Sequence, residues 1–380
     1  MDIFYIFFLR LISYLEDNEK IIATIVLFLL IGGHILYLKQ WKINLKKSEL
    51  IPLGVFFYFI IHTLIFSSVT VQFFGIIFSY YLWYLYITIK FKGMSKYNAI
   101  KFLVYSLTIY NLINFIWYQI EYSDLRTGIN TTLGLFNIVA YRVHFPMESS
   151  LTINSVSVGL TSLLTMYLIK NTTSSLKKIF FYILYFWNIY ILIVLDSRSP
   201  LLISLILGIA MGLGIKTIIR LVTKYWIVIV ITAIVFVNIF YNTDIFQDLK
   251  RPGELDKEFF KRPKIWGLAL TNIFQDFRFL FGHGLNSFKD LIIQEESFLS
   301  TTHNIFLQVL FDFGIFGIFV MGYFLQKTMK ILIRIKDINL TLIFISFFLY
   351  GCLESMPSYY TFTPTLIFIP IVIIIYIKEE

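Results

Sequence analysis

Residues 303–325 read HNIFLQVLFDFGIFGIFVMGYFL, and residues 326–338 continue QKTMKILIRIKDI. The first stretch carries Asp312 as its one acid and is long enough for a helix to cross about 30 Å of hydrocarbon. The second holds Lys327, Lys330, Arg334 and Lys336. An apolar run followed by a basic segment is the pattern of a membrane span with its basic end in the cytoplasm. The run shows no period-two alternation, so a helix and not a barrel strand is the spanning element.

The same pattern repeats along the chain. Of its 380 residues, 58% are hydrophobic and 14% charged, against about a quarter charged in soluble domains. Further apolar runs lie at 21–38, 50–67, 70–89, 99–120, 151–169, 179–195, 200–215, 225–241, 339–353 and 364–377. The expected fold class is therefore all-α, a polytopic membrane helical bundle of about 11 transmembrane helices forming one integral membrane unit over 1–380. Residues 3–15 are apolar but short, with Arg10 inside and Glu16, Asp17 and Glu19 behind them. They read as an interfacial helix, or as a twelfth span.

Orientation follows from Lys and Arg in the short loops. Lys39, Lys42, Lys46 and Lys47 share a side with Lys90, Lys92, Lys96 and Lys101, with Lys170, Lys177 and Lys178, and with Lys216, Arg220 and Lys224. Short loops on the other side hold only Lys20, Arg126, Arg142 and Arg198. The C-terminus is thus expected inside. Two segments, 121–150 and 242–302, are expected outside and are too long for simple connectors, so recognition or chemistry should lie on the outer face. One cysteine, Cys352, excludes an intrachain disulfide and a multi-cysteine metal site. No nucleotide-binding fingerprint is present.

Four outer pieces bear chemistry. Residues 250–264, KRPGELDKEFFKRPK, set six basic residues against three acids. Such a cluster suits a phosphate or pyrophosphate, which a guanidinium grips through two oxygens, but equally suits anionic lipid. Arg262 stands one helical turn before Trp266 and is followed by the turn Gly282-His283-Gly284. His303 and Asn304 sit where the long outer segment enters a span, and an imidazole at that interface can exchange protons near neutral pH. Leu307, Leu310, Gly314 and Gly317 fall at helical spacings, which predicts a smooth packing face. Asp196-Ser197-Arg198-Ser199-Pro200 forms a tight outer turn. Taken singly, each piece is as well explained by a solvated turn, a helix cap or an interfacial helix.

In this order and on this side, the pieces resemble the O-antigen ligase and polymerase superfamily, which includes the Wzy-type polymerases of O-antigen and capsular polysaccharide. The motifs cover about 196–325. The resemblance implies a fold similar to membrane glycosyltransferases of the C type. It implies an enzyme of the bacterial cytoplasmic (inner) membrane, with its active site on the extracytoplasmic face. The donor would be an undecaprenyl-pyrophosphate-linked oligosaccharide, and the acceptor another lipid-linked glycan. Matched residue by residue, Arg198, Arg262 and His303 are the expected catalytic residues. Arg251, Lys261, Lys264, Trp266 and Asn304 are expected to bind substrate. Two cleanly spaced Arg-x10-Gly loops, found in some polymerases, do not occur.

The implied reaction needs no cofactor, and no paired acids of metal-binding spacing stand in the outer loops, so no metal is expected. Glu295, Glu296 and Glu354 are the remaining candidate acids. Expected partners are the lipid bilayer, a chain-length regulator and a flippase, with no nucleic acid. The alternatives are a ligase that attaches the glycan to lipid A core, or a flippase or transporter for lipid-linked oligosaccharide. His34, His62, Asn111, Asn114, Asn188 and Asp312 fall in spans, but scattered, which argues against a polar path across the midplane.

Overall fold

Residues 151–171, LTINSVSVGLTSLLTMYLIKN, mix aliphatic and small hydroxyl side chains with no polar face, the composition of a helix enclosed by other helices. The computed structural model bears this out, since every residue from Ser155 to Ile169 is buried. The structure describes residues 50–66, 71–121, 130–133, 138–141, 151–195, 197–214, 261–275, 278–285, 287–288, 302, 304–353 and 362–377, with a few isolated positions besides.

Before this central helix come α1 (Leu50–Phe66), α2 (Val71–Lys92) and α3 (Lys96–Glu121). Two strands, β1 (Asn130–Leu133) and β2 (Ile138–Tyr141), pair antiparallel with Asn130 opposite Tyr141 and Leu133 opposite Ile138. The central helix is α4 (Leu151–Asn171), followed by α5 (Ser175–Val194) and α6 (Arg198–Leu213). The outer segment holds α7 (Lys261–Gln275) and α8 (Arg278–Phe281), and α9 (Ile305–Ile335), α10 (Ile338–Leu353) and α11 (Phe362–Ile377) complete the order.

Helices stand at every expected span that falls among the described residues; 21–38, 225–241 and residues 3–15 lie outside them. Lys96–Trp117, Ser175–Val194 and Ile305–Ile335 are long and apolar enough to cross a membrane, and Leu50–Phe66, Ser199–Leu213, Ile265–Phe274, Ile338–Cys352 and Phe368–Ile377 are shorter apolar helices. The fold is all-helical as expected, with the short hairpin β1–β2 added in a connection. It lies within 121–150, between α3 and α4 in the chain and with β2 beside α5. Helix α9 also outruns its expected span. Its 31 residues continue past a break at Gly314, and the basic stretch read as a loop is helical to Ile335.

Helix α4 packs against α3, α5, α6, α10 and α11. Its hydroxyls are satisfied by the preceding turn: Thr161 donates to Ser157 O at 2.8 Å, Ser162 to Gly159 O at 2.7 Å and Thr165 to Thr161 O at 2.7 Å. A Cβ at Gly159 would stand 2.7 Å from Tyr350 Oη and 2.9 Å from Ser204 Oγ, which are themselves hydrogen-bonded at 2.7 Å. Glycine here is what lets α6 and α10 meet over α4. Outside this core, large apolar side chains such as Leu176, Phe186 and Phe319 are exposed to whatever surrounds the protein. Surface of that kind finds a partner in lipid, and the chain is an integral membrane protein.

The bundle has two distinct ends. At one, the Asp337 carboxylate pairs with Lys96 and accepts from Tyr167 Oη at 3.1 Å and from Leu340 N at 3.0 Å, tying α3, α4 and α10 together. Tyr97 and Thr172 share a hydrogen bond of 2.8 Å, and Lys170 Nζ donates to Gly212 O at 2.7 Å. These residues flank the connections expected inside, and the connections 93–95, 172–174 and 336–337 are tight. The opposite end holds Arg198, Asn304 and Cys352.

Candidate functional site

The first turn of α7 is Lys261-Arg262-Pro263-Lys264. Proline is tolerated there because its missing N–H would have no partner in the helix. Beyond it, Ile265, Trp266, Ala269 and Ile273 form one buried face, packed with Phe288 and Phe311, while Leu270 and Phe274 face away. The amphipathic period therefore lays α7 along α9 and sets its basic first turn at one end.

Trp266 is buried, and its indole Nε1 donates to Thr302 O at 2.6 Å. Thr302 is held on three further sides. Its N–H donates to Gln308 Oε1 at 2.9 Å, its hydroxyl donates to Asn304 O at 2.9 Å, and Asn304 N donates to the same hydroxyl at 3.4 Å. Asn304 caps α9, since its Oδ1 accepts from Phe306 N at 3.0 Å and Leu307 N at 3.1 Å. Its Nδ2 donates to Cys352 O at 3.4 Å, near the end of α10. Helix α10 is joined to α6 through Tyr350 and Ser204, six residues from Arg198 at the start of α6. Three helix ends, those starting at Arg198, Lys261 and Ile305, are thus linked by hydrogen bonds running through α10 and Thr302.

A second anchorage lies along α9. The turn after α8 docks on that helix, with His283 N donating to Phe311 O at 2.8 Å and Gly284 N to Asp312 O at 2.9 Å. These carbonyls are accessible because α9 is broken at Gly314, whose φ of 66° and ψ of −164° are not helical. Gly282 (φ 79°) and Gly284 (φ 87°) also occupy conformations that favour glycine. Side chains are excluded as well. A Cβ on Gly282 would strike the Asp312 backbone, and one on Gly314 would strike the backbone of Leu280 and Gly282. The smooth helical face expected from Leu307, Leu310, Gly314 and Gly317 is therefore corrected. The two leucines pack on α7, Gly314 receives the turn, and Gly317 meets Phe313 and Val309 of its own helix.

The turn is held from other directions too. His283 stacks on Phe311 at 4.4 Å, accepts from Arg278 Nη1 at 3.3 Å through Nδ1, and donates from Nε2 to Asn272 O at 3.2 Å. From α1, the buried His62 Nε2 donates to Phe281 O, and its ring lies 5.0 Å from that of Phe313.

Of the residues expected from sequence, Trp266 and Asn304 have their polar groups engaged within the protein. The backbone places Arg198 at the start of α6, and Lys261, Arg262 and Lys264 in the first turn of α7. His303 stands between the two well-held residues Thr302 and Asn304 in the chain; it lies outside the described residues, as do Arg251, Glu295, Glu296 and Glu354. Thr302 and Gln308 do not stand out in the sequence, and Asp312 stands out only as one of several scattered polar residues in spans. One sign of them was present: Asn304, Gln308 and Asp312 recur every fourth residue, a polar stripe along one face of an otherwise apolar helix.

Two comparisons bear on this arrangement. Residues 183–322 match the family model Wzy_C, described as O-antigen ligase. The match takes in α6, α7, the Gly-His-Gly turn and the first half of α9, so every linked helix end lies within it. Among curated proteins the chain finds no match. The match over 183–322 supports the resemblance of this part of the chain to the O-antigen ligase and polymerase superfamily.

Proposed function

We propose that the protein is a polysaccharide polymerase. It transfers glycan repeat units from undecaprenyl pyrophosphate onto another lipid-linked glycan at the outer face of the bacterial cytoplasmic membrane. The observation that supports this reading is the bond from Trp266 to Thr302, which ties the helix beginning Lys261-Arg262 to the residue that precedes His303 in the chain. The family match supports a glycosyltransferase-like enzyme of polysaccharide processing.

The chemistry follows from these residue types. An acceptor hydroxyl attacks the anomeric carbon of the donor, its oxygen forms the new glycosidic bond, and the bond from that carbon to the pyrophosphate oxygen breaks. Negative charge grows on the departing pyrophosphate. Arg198 and Arg262 meet it with paired donors, and Lys261, Lys264 and Arg251 add positive potential. His303 takes the proton of the attacking hydroxyl. Trp266 and Asn304 hold the two halves in register. The long segment 242–302 is the extracytoplasmic part that receives the glycan. A chain-length regulator and a flippase would act before and beside it.

In cells lacking the protein, surface glycan should be reduced to a single repeat unit on its carrier, read as collapse of the glycan ladder on a gel. A normal ladder, or loss of all glycan including the single unit, would reject polymerisation. The description of the matching family favours a second function, ligation to lipid A core. Its signature is full-length glycan accumulating on undecaprenyl pyrophosphate and none on lipid A core. Transfer should also survive EDTA, because arginines and not a cation carry the leaving-group charge. Loss of activity on chelation, restored by Mg²⁺ or Mn²⁺, would overturn that assignment.

A further inference from the structure

We propose that Gln308 and Asp312 are positioning residues for the transfer step, holding the segment that carries His303 in register with the helix that carries Arg262. The proposal rests on the transferase function above.

The hydrogen bonds form a closed circuit. Thr302 N donates to Gln308 Oε1 at 2.9 Å, and Gln308 Nε2 donates to Asp312 Oδ2 at 2.9 Å. The main-chain oxygen of Asp312 accepts from Gly284 N at 2.9 Å. That turn leads back through α8 to α7, whose Trp266 returns to Thr302 at 2.6 Å. Both ends of the α7–α8 unit are thereby fastened to one face of α9, and Asp312 is the residue that holds both fastenings. Its carboxyl is buried at 4% exposure, with Oδ1 unpartnered among the described residues. A carboxyl group at that depth in a membrane helix costs free energy that an apolar side chain would not, so packing alone does not account for it. Gln308 is likewise oriented from both sides, its amide oxygen by Thr302 and its amide nitrogen by Asp312. Removing Gln308 takes away the acceptor of Thr302 N, removing Asp312 leaves the Gln308 amide held from one side only, and the residue after Thr302 is His303.

The loss falls on geometry and not on donor grip. Misplacing a reacting group by about 1 Å can slow a reaction by about a hundredfold. The test uses the full chain, purified and reconstituted in liposomes, with lipid-linked repeat units extracted from cells that lack the protein as donor. Gln308→Met and Asp312→Leu should lower turnover by about ten- to a hundredfold, with KM for the donor within about twofold. Asp312→Asn keeps a carbonyl acceptor for Gln308 and should turn over within about threefold of the unaltered protein. The double variant Gln308→Met/Asp312→Leu should be no slower than the slower single, because both act through one connection.

Unchanged turnover in Gln308→Met, a rise in KM without a fall in turnover, or an Asp312→Asn as slow as Asp312→Leu would each overturn the proposal. Should Asp312→Leu fail to accumulate in membranes, Gln308→Met decides, since Gln308 is only half-buried and methionine matches its size. An unaltered protein that makes no longer glycan, or a fully active His303→Ala, would instead overturn the transferase function and this proposal with it.

Discussion

Replacing His303 with alanine should abolish chain extension, lowering transfer by about 10²–10⁴-fold, while donor binding and membrane abundance persist. The residue on either side explains why the backbone should survive the change. Thr302 is held by Trp266 and Gln308, and Asn304 caps α9 through Phe306 and Leu307, so the segment keeps its place without the imidazole. Arg262→Lys should lose on the order of 10²-fold, because an ammonium is a point charge and does not reproduce the paired donors of a guanidinium. Its position in the first turn of α7 leaves the buried face from Ile265 onward intact. Glycan ladders measured beside membrane protein abundance check both. If the two residues merely stand at an interface, the ladders stay normal at normal abundance, and the residue concerned leaves the catalytic set.

The second large effect is expected at glycine. Gly314→Ala forces a side chain into a backbone region that is nearly glycine-only, at about 1–3 kcal/mol. It also drives a methyl group into the backbone of Leu280 and Gly282, where neither side is a flexible chain end that can swing away. Crowding of that kind adds about 1–3 kcal/mol. The variant should release the Gly-His-Gly turn from α9 and lower the thermal midpoint in detergent. Gly282→Ala should do the same from the opposite face. Gly322→Ala is the control, since a Cβ there meets nothing within 4 Å, and its stability should equal or exceed that of the unaltered protein. A Gly314→Ala protein as stable as the Gly322→Ala protein would show that the turn does not depend on this contact.

These glycines also mark where sequence reading stops. Hydropathy located the helices because burying apolar side chains in lipid is a local property of about twenty residues, and the loop lysines sorted the two ends. The same reasoning placed Gly282 and Gly284 in a flexible turn and Gly314 on a helical face. It missed that all three serve one contact between backbones some thirty residues apart, which no period or composition records. The reading of Arg262, Trp266, His303 and Asn304 as one constellation came from their order along the chain. What sequence left out was the connection between them: Thr302 is an unremarkable residue before His303, and its importance lies in a carbonyl that every residue has. Asp312 was noted only as a stray polar group in a span, because its neighbour at that depth, Gln308, is distinguished by spacing alone.

Helix α4 carries a consequence for biogenesis. A segment with Ser155, Ser157, Thr161, Ser162 and Thr165 on it partitions from the translocon into lipid less readily than its aliphatic neighbours. The tight connection at 172–174 lets α4 enter with α5 as a helical pair, the more apolar member carrying the other. Yet two of the helices that enclose it, α10 and α11, are synthesised well after it, and the Tyr350 that fills the notch at Gly159 comes nearly 200 residues later. Until then α4 stays laterally open to the bilayer, so a chain cut short before Ile338 would leave its hydroxyl-rich flank facing acyl chains and mark it for quality control.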